Sequence, residues 1–141
     1  MMAMKVSPYL NFNGNCAEAV ALYEKAFGVK ASIMRFTDAP PSEGYTPPPG
    51  TENMIMHGCI KLGEDKIMFS DAPNPDVTWN FSNGGLAIAV ELEGVDKVKA
   101  VYAALLEGGV SIMEPQKTFW AECFSMLTDK FGVTWMIATP Q

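Results

Sequence analysis

The sequence predicts an α+β fold. Two βαβββ modules make one domain, and their eight strands form a curved mixed sheet around a concave cleft. Three observations lead there. Alternating and helix-periodic segments follow the order strand, helix, strand, hairpin twice along the 141 residues. The two halves also match residue by residue. Tyr23 and Tyr102, like Ser32-Ile33-Met34 and Ser111-Ile112-Met113, share one spacing of 79 residues; Gly63 and Gly132 are 69 apart, the slip being absorbed by a Pro-rich insertion in the first half. Finally, each half has one helix for a sheet with two faces, so the other face needs a partner or becomes a ligand surface.

The elements can be justified in order. Lys5 to Phe12 alternates, with Val6, Leu10 and Phe12 on one side and Ser7, Tyr9 and Asn11 on the other. Pro8 lacks a donor, so this is either an edge strand or a strand whose Pro8 nitrogen faces away from its partner. After the turn at Asn13-Gly14-Asn15 a helix begins at Asn15 or Cys16. Its apolar face is Val20, Tyr23, Ala26 and Phe27, and Gly28 stops it. Ala31 to Phe36 is a strand. Asp38 to Glu52 holds five prolines and two glycines in fifteen residues, so it is either a stiff connector or a lid whose contact residue is Tyr45. Asn53 to Leu62 and Lys66 to Ser70 form a hairpin around Gly63-Glu64-Asp65, and the polar stretch Asp71 to Gly85 links the halves.

In the second half, Leu86 to Leu92 reads as a strand. Val95 to Leu106 is a helix with Val98, Val101, Tyr102 and Leu105 on one face; Gly108-Gly109 ends it, and Val110 to Met113 is a strand. A closing hairpin runs from Thr118 to Ala138, reversing at Asp129-Lys130-Phe131-Gly132 in a type I-like turn. Module one thus covers about residues 4–73, the linker 74–84 and module two 85–139.

Composition restricts function. A net charge of −6 argues against nucleic-acid or anionic-membrane partners, which need a basic patch. Cys16, Cys59 and Cys123 are an odd number without a CxxC motif, the pattern of reduced thiols in a cytoplasmic protein. The start has no apolar run of signal-peptide length, and no stretch is long enough for a membrane helix. Ten methionines are many for this length; they either fill core gaps or line an adaptable pocket.

The stretches PYLNFNGNCAEAVALYEKAFG, IMHGCIKLG, FSDAP, TFW and LTDKFGVTWMI, spread from Tyr9 to Ile137, resemble the PhnB-like group of the vicinal oxygen chelate superfamily, the glyoxalase, bleomycin-resistance and extradiol dioxygenase families. The motifs are weak singly and specific together. The resemblance implies a glyoxalase-like fold and a homodimer. The demethylubiquinone methyltransferase label carried by that group finds no support in the chain, which has no Gly-rich strand-to-helix turn to hold S-adenosylmethionine.

The resemblance also implies a divalent metal held by His, Gln or Glu from the first and last strands of each module. Here the carboxylate position of module two falls on Met136. Its first-strand counterpart falls on Gly85 or Leu86, and that of module one on Ser7 or Pro8. The last strand of module one offers Asp71 alone as a ligand. The expectation is therefore no metal and no cofactor. A soft zinc site on His57 and Cys59 with Cys123 or Asp71 is a further arrangement, weighed against a lone histidine hydrogen-bonded in or near the barrel.

The candidate ligand-binding residues are Tyr9, Asn11, Tyr45, His57, Asp71, Phe119, Trp120, Glu122 and Met136, with Ala87 and Ala89 leaving room beside them. Trp and Met at such positions also serve as plain core. Two readings follow. The first is a metal-free module that binds a small apolar or aromatic molecule. The alternative is a small-molecule enzyme of lyase, isomerase or transferase type, with His57 as general base beside Asp71 or Cys59. A purely structural dimer is a thinner third reading.

Overall fold

The computed structural model describes residues 4–38, 49–72, 74, 76–81 and 84–141. The chain divides into two compact units. Unit 1 comprises Met1–Glu24 and Gly28–Trp79; unit 2 comprises Lys25–Phe27 and Asn80–Gln141. Each holds a four-stranded mixed sheet, so the eight strands are distributed four and four, and among the described residues no strand pair joins the two sheets.

Unit 1 has β1 (Tyr9–Phe12), α1 (Cys16–Phe27, its last three residues counted with unit 2), β2 (Ser32–Arg35), β3 (Ile55–Leu62) and β4 (Asp65–Asp71), in the sheet order β1-β4-β3-β2. β1 is an edge strand, the first of the two placements that Pro8 allows. The ladder starts only at Tyr9, because Pro8 has a carbonyl to offer, taken by Met68 N–H at 2.9 Å, and no N–H. Leu10 and Phe12 are buried while Tyr9 is 43% exposed, so the alternation read from the sequence holds within the strand. α1 lays Tyr23 against Phe69, ring centroids 5.8 Å apart, with both side chains fully buried. Gly28 closes the helix at φ 67°, its N–H on the Glu24 carbonyl.

The start of α1 is held from outside. Asn15 makes no side-chain cap. Instead, one carboxylate oxygen of Asp71 accepts N–H bonds from Gly14 (2.8 Å) and Cys16 (3.0 Å), and the other accepts from Ile55 (3.0 Å). Asp71 therefore belongs to β4, and the linker begins after it. An ionised acceptor satisfies helix-start donors that have no intrahelical partner and complements the helix dipole. The linker is itself anchored: Asn13 donates to the Trp79 carbonyl and accepts from its N–H, both at 2.8 Å, and Trp79 Nε1 donates to the Ala72 carbonyl at 2.7 Å.

Unit 2 has β5 (Ala87–Glu91), α2 (Val95–Leu106), β6 (Val110–Gln116), β7 (Ala121–Thr128) and β8 (Thr134–Pro140), in the order β5-β8-β7-β6. α2 occupies the residues the periodicity marks and buries Val98, Val101, Tyr102 and Leu105. β6 runs on to Gln116 beyond the expected Met113; Pro115 is tolerated because β6 is an edge. The turn at Asp129–Gly132 is as expected: Gly132, at φ 91°, donates to the Asp129 carbonyl at 2.9 Å. The Asp129 carboxylate, almost fully buried, accepts N–H bonds from Phe131 (2.9 Å) and Val133 (3.1 Å) and from Trp135 Nε1 (2.9 Å). Gly109 is confined by contact: a Cβ there would lie 2.3 Å from the Thr128 carbonyl oxygen.

Replacing Asp71 by Ala strands three amide donors inside unit 1. Equilibrium urea unfolding of D71A should show a loss of about 2–4 kcal/mol, against about 0.5 kcal/mol or less for Glu64→Ala on the exposed β3–β4 turn.

Candidate functional site

In each unit the helix covers one face of the sheet, and side chains of opposite parity form the other, open face. In unit 1 the ladder places Tyr9 opposite Met68, Met68 opposite Cys59, and Cys59 opposite Ser32. The neighbouring row carries Asn11 opposite Ser70, and Met34 opposite His57. The fold thus brings Tyr9, Asn11, His57 and Cys59 to one face. The His57 ring lies 6.1 Å from that of Tyr9 at a tilt of 57°. His57 is exposed, and among the described residues it makes no hydrogen bond, unlike a histidine bonded within the barrel.

Asp71 does not join this group. Parity puts it on the helix side with Ile67 and Phe69; it is 3% exposed, and both its oxygens serve backbone amides. Beside it, burial and then the Asp71 charge push the Cys16 thiol up from 9.0 to about 12, so no nucleophile arises there.

In unit 2 the open face is built from methionines and small residues. One row runs Ala89, Met136, Met126, Met113; the next runs Glu91, Ala138, Phe124, Gln116. At the β5-β8 end of these rows lies a cavity of about 140 Å³, lined by Ala89, Val90, Glu91, Trp120, Ala121, Phe124, Met136, Ala138 and Pro140. The Trp120 ring stands edge-on to Phe124 at 5.4 Å and to Phe119 at 4.9 Å.

Of the residues singled out from the sequence, Trp120, Met136 and the small Ala89 line this cavity, and Ala87 does not. Phe119, 89% exposed, and Trp120 precede β7 in a bend, where Thr118 N–H donates to the Ala121 carbonyl and Thr118 Oγ1 accepts the Ala121 N–H. They are not part of a strand. Glu122 is exposed on β7 and is not on the cavity wall. Tyr45 lies outside the described residues, as does most of the Pro-rich segment. Phe124 and Glu91 were missed. Both continue alternations already recognised, Glu91 two residues after Ala89 and Phe124 opposite Ala138, but the strand register was needed to place them on one wall.

The metal implied by the resemblance does not fit this donor set. Met136 presents a thioether, Asp71 is engaged on the covered face, and among the described residues no three His, Cys, Asp or Glu side chains gather as a metal site. The soft zinc arrangement fails the same test. Nor, among the described residues, is any helix long and apolar enough to cross a membrane.

A βαβββ order repeated in two units, each with one open sheet face, defines the class. The chain belongs to the glyoxalase/bleomycin resistance protein/dioxygenase superfamily, whose family model matches residues 5–137. Among individual proteins it is similar to YjdN of Escherichia coli K12, 32% identical over 142 residues, 95% of this chain and 94% of that one. It is also similar to PA1353 from Pseudomonas aeruginosa, whose crystal structure gives a TM-score of 0.83 at 33% identity with 99% of each chain covered. The PhnB protein of Bacillus cereus shares the fold, with a TM-score of 0.71 at 24% identity over 96% of this chain and 99% of that one.

The three thiols should separate by burial. Under native conditions a disulfide reagent should label Cys59 alone, with Cys16 and Cys123 reacting only on unfolding. Cys16 stays protonated in the folded chain and ionises above 9.0 when unfolded, so its contribution is complete below pH 9 and lost between pH 9 and about 12. Cys16→Ala should therefore flatten the alkaline fall in stability by up to about 1.4 kcal/mol per pH unit in that window, measured by urea titrations.

Proposed function

We propose that the protein binds a small apolar or aromatic molecule on the open face of unit 2, without a metal ion. The cavity carries this reading: small Ala89 and Ala138 form its floor, Trp120 and Phe124 its aromatic wall, and Met136 stands where relatives with metal chemistry would carry a carboxylate. Small residues leave volume for the ligand. Aromatic rings supply flat contact area at little entropic cost, and thioethers adapt to its shape. A soluble binding protein of this kind would act by sequestration or delivery, as a homodimer if the resemblance extends to assembly. In calorimetric titrations with naphthalene-type probes, Trp120→Ala should weaken binding by about tenfold. Stoichiometric divalent metal in the purified protein, with probe binding abolished by a chelator, would overturn the metal-free reading.

A second reading rests on the open face of unit 1. There His57 is exposed and free of hydrogen bonds among the described residues, next to Tyr9 and in reach of the polar row of Asn11 and Ser70. An imidazole so placed suits general-base work on a bound small molecule. Once a turnover is found, His57→Ala should reduce kcat by about a hundredfold or more with KM nearly unchanged. Full activity in that variant would end the enzymatic reading.

A further inference from the structure

Resting on the binding reading above, we propose that the cavity of unit 2 selects organic cations: an amine or quaternary ammonium group attached to a flat apolar body. Among the described residues, the cavity wall contains one ionisable side chain, Glu91. Cross-strand register sets Glu91 and Phe124 on either side of Ala138, each opposite it on the same face. Strand spacing puts the Cα atoms of Glu91 and Phe124 about 10 Å apart, and the single methyl of Ala138 leaves the gap between them open. A carboxylate thus faces an aromatic ring across a slot, with the Trp120 ring edge-on to Phe124 at 5.4 Å as a second π surface.

That combination recognises a cation by two routes. The carboxylate supplies an opposite charge, and the ring faces supply a negative quadrupole, while the apolar floor accepts the rest of the ligand. Glu91 is available for this role, since among the described residues no Lys, Arg or His pairs with it and it makes no hydrogen bond. A neutral aromatic would gain the stacking without the charge, and an anion would be repelled by Glu91 and by the net charge of −6.

The test is isothermal titration of the full chain, at low and high salt, with three probes of nearly equal shape: naphthylmethylamine, naphthalenemethanol and naphthoate. The amine should bind about tenfold more tightly than the alcohol, naphthoate should be weakest, and added salt should narrow the gap. In Glu91→Gln the amine should fall to the affinity of the alcohol, whose own binding is unchanged; that unchanged alcohol binding also reports an intact fold. Ala138→Leu, which fills the slot, should weaken all three. Equal binding of amine and alcohol, or a preference that survives Glu91→Gln, would overturn the inference and leave the apolar-ligand reading standing. Failure of all three probes to bind the wild-type protein would overturn both.

Discussion

A buried carboxylate gathering backbone amides is the interaction on which unit 1 depends. Asp71 sits at the end of β4, yet its partners are the turn before α1 and the first residue of β3. One side chain therefore fixes where the helix starts, how the crossover leaves β1, and where the insertion rejoins the sheet. Unit 2 meets the same need more cheaply. Thr139 Oγ1, near the end of β8, accepts the N–H of Gly94 at the start of α2 at 3.2 Å. The unit's buried carboxylate, Asp129, works at the hairpin instead, where it clamps the turn and orients Trp135.

These anchors explain how a chain with short strands keeps two well-defined faces. Once the helix, the turn and the strand ends are tied to a sheet, every side chain of one parity is committed to the core. The remaining parity is left without cover within its unit. In unit 1 this face is polar, with Tyr9, Asn11, Ser70 and His57 set among methionines; in unit 2 the cavity wall is apolar, with Glu91 as its one ionisable side chain among the described residues. Repetition of one module has given two open faces of different chemistry. The polar face suits proton transfer or hydrogen bonding, and the apolar one suits holding the body of a ligand.

The poor fit of a metal to these donors has the same physical basis. Asp71 faces the helix side, where its carboxylate serves three amide donors, and so presents no ligand to the open face. At Met136 the cavity wall offers a soft, apolar thioether and no hard donor. Membership of a superfamily therefore fixes the scaffold and leaves the chemistry to individual positions on its open faces.

The sequence by itself determined the βαβββ repeat, the extent of α2, the Gly28 stop and the Asp129–Gly132 turn. Each is set by local conformational preference or by periodicity within a few residues. What only the tertiary structure decided depends on register between distant segments. Asp71 looks like a polar linker residue until the amides of Gly14, Cys16 and Ile55 are seen to converge on it. Phe119 and Trp120 look like strand residues until Thr118 is seen to bend the chain before β7. Glu91 and Phe124 are far apart in the chain, and nothing local to either says that Ala138 stands between them. Alternation tells which residues share a face within one strand; only the pairing of strands tells which of them meet.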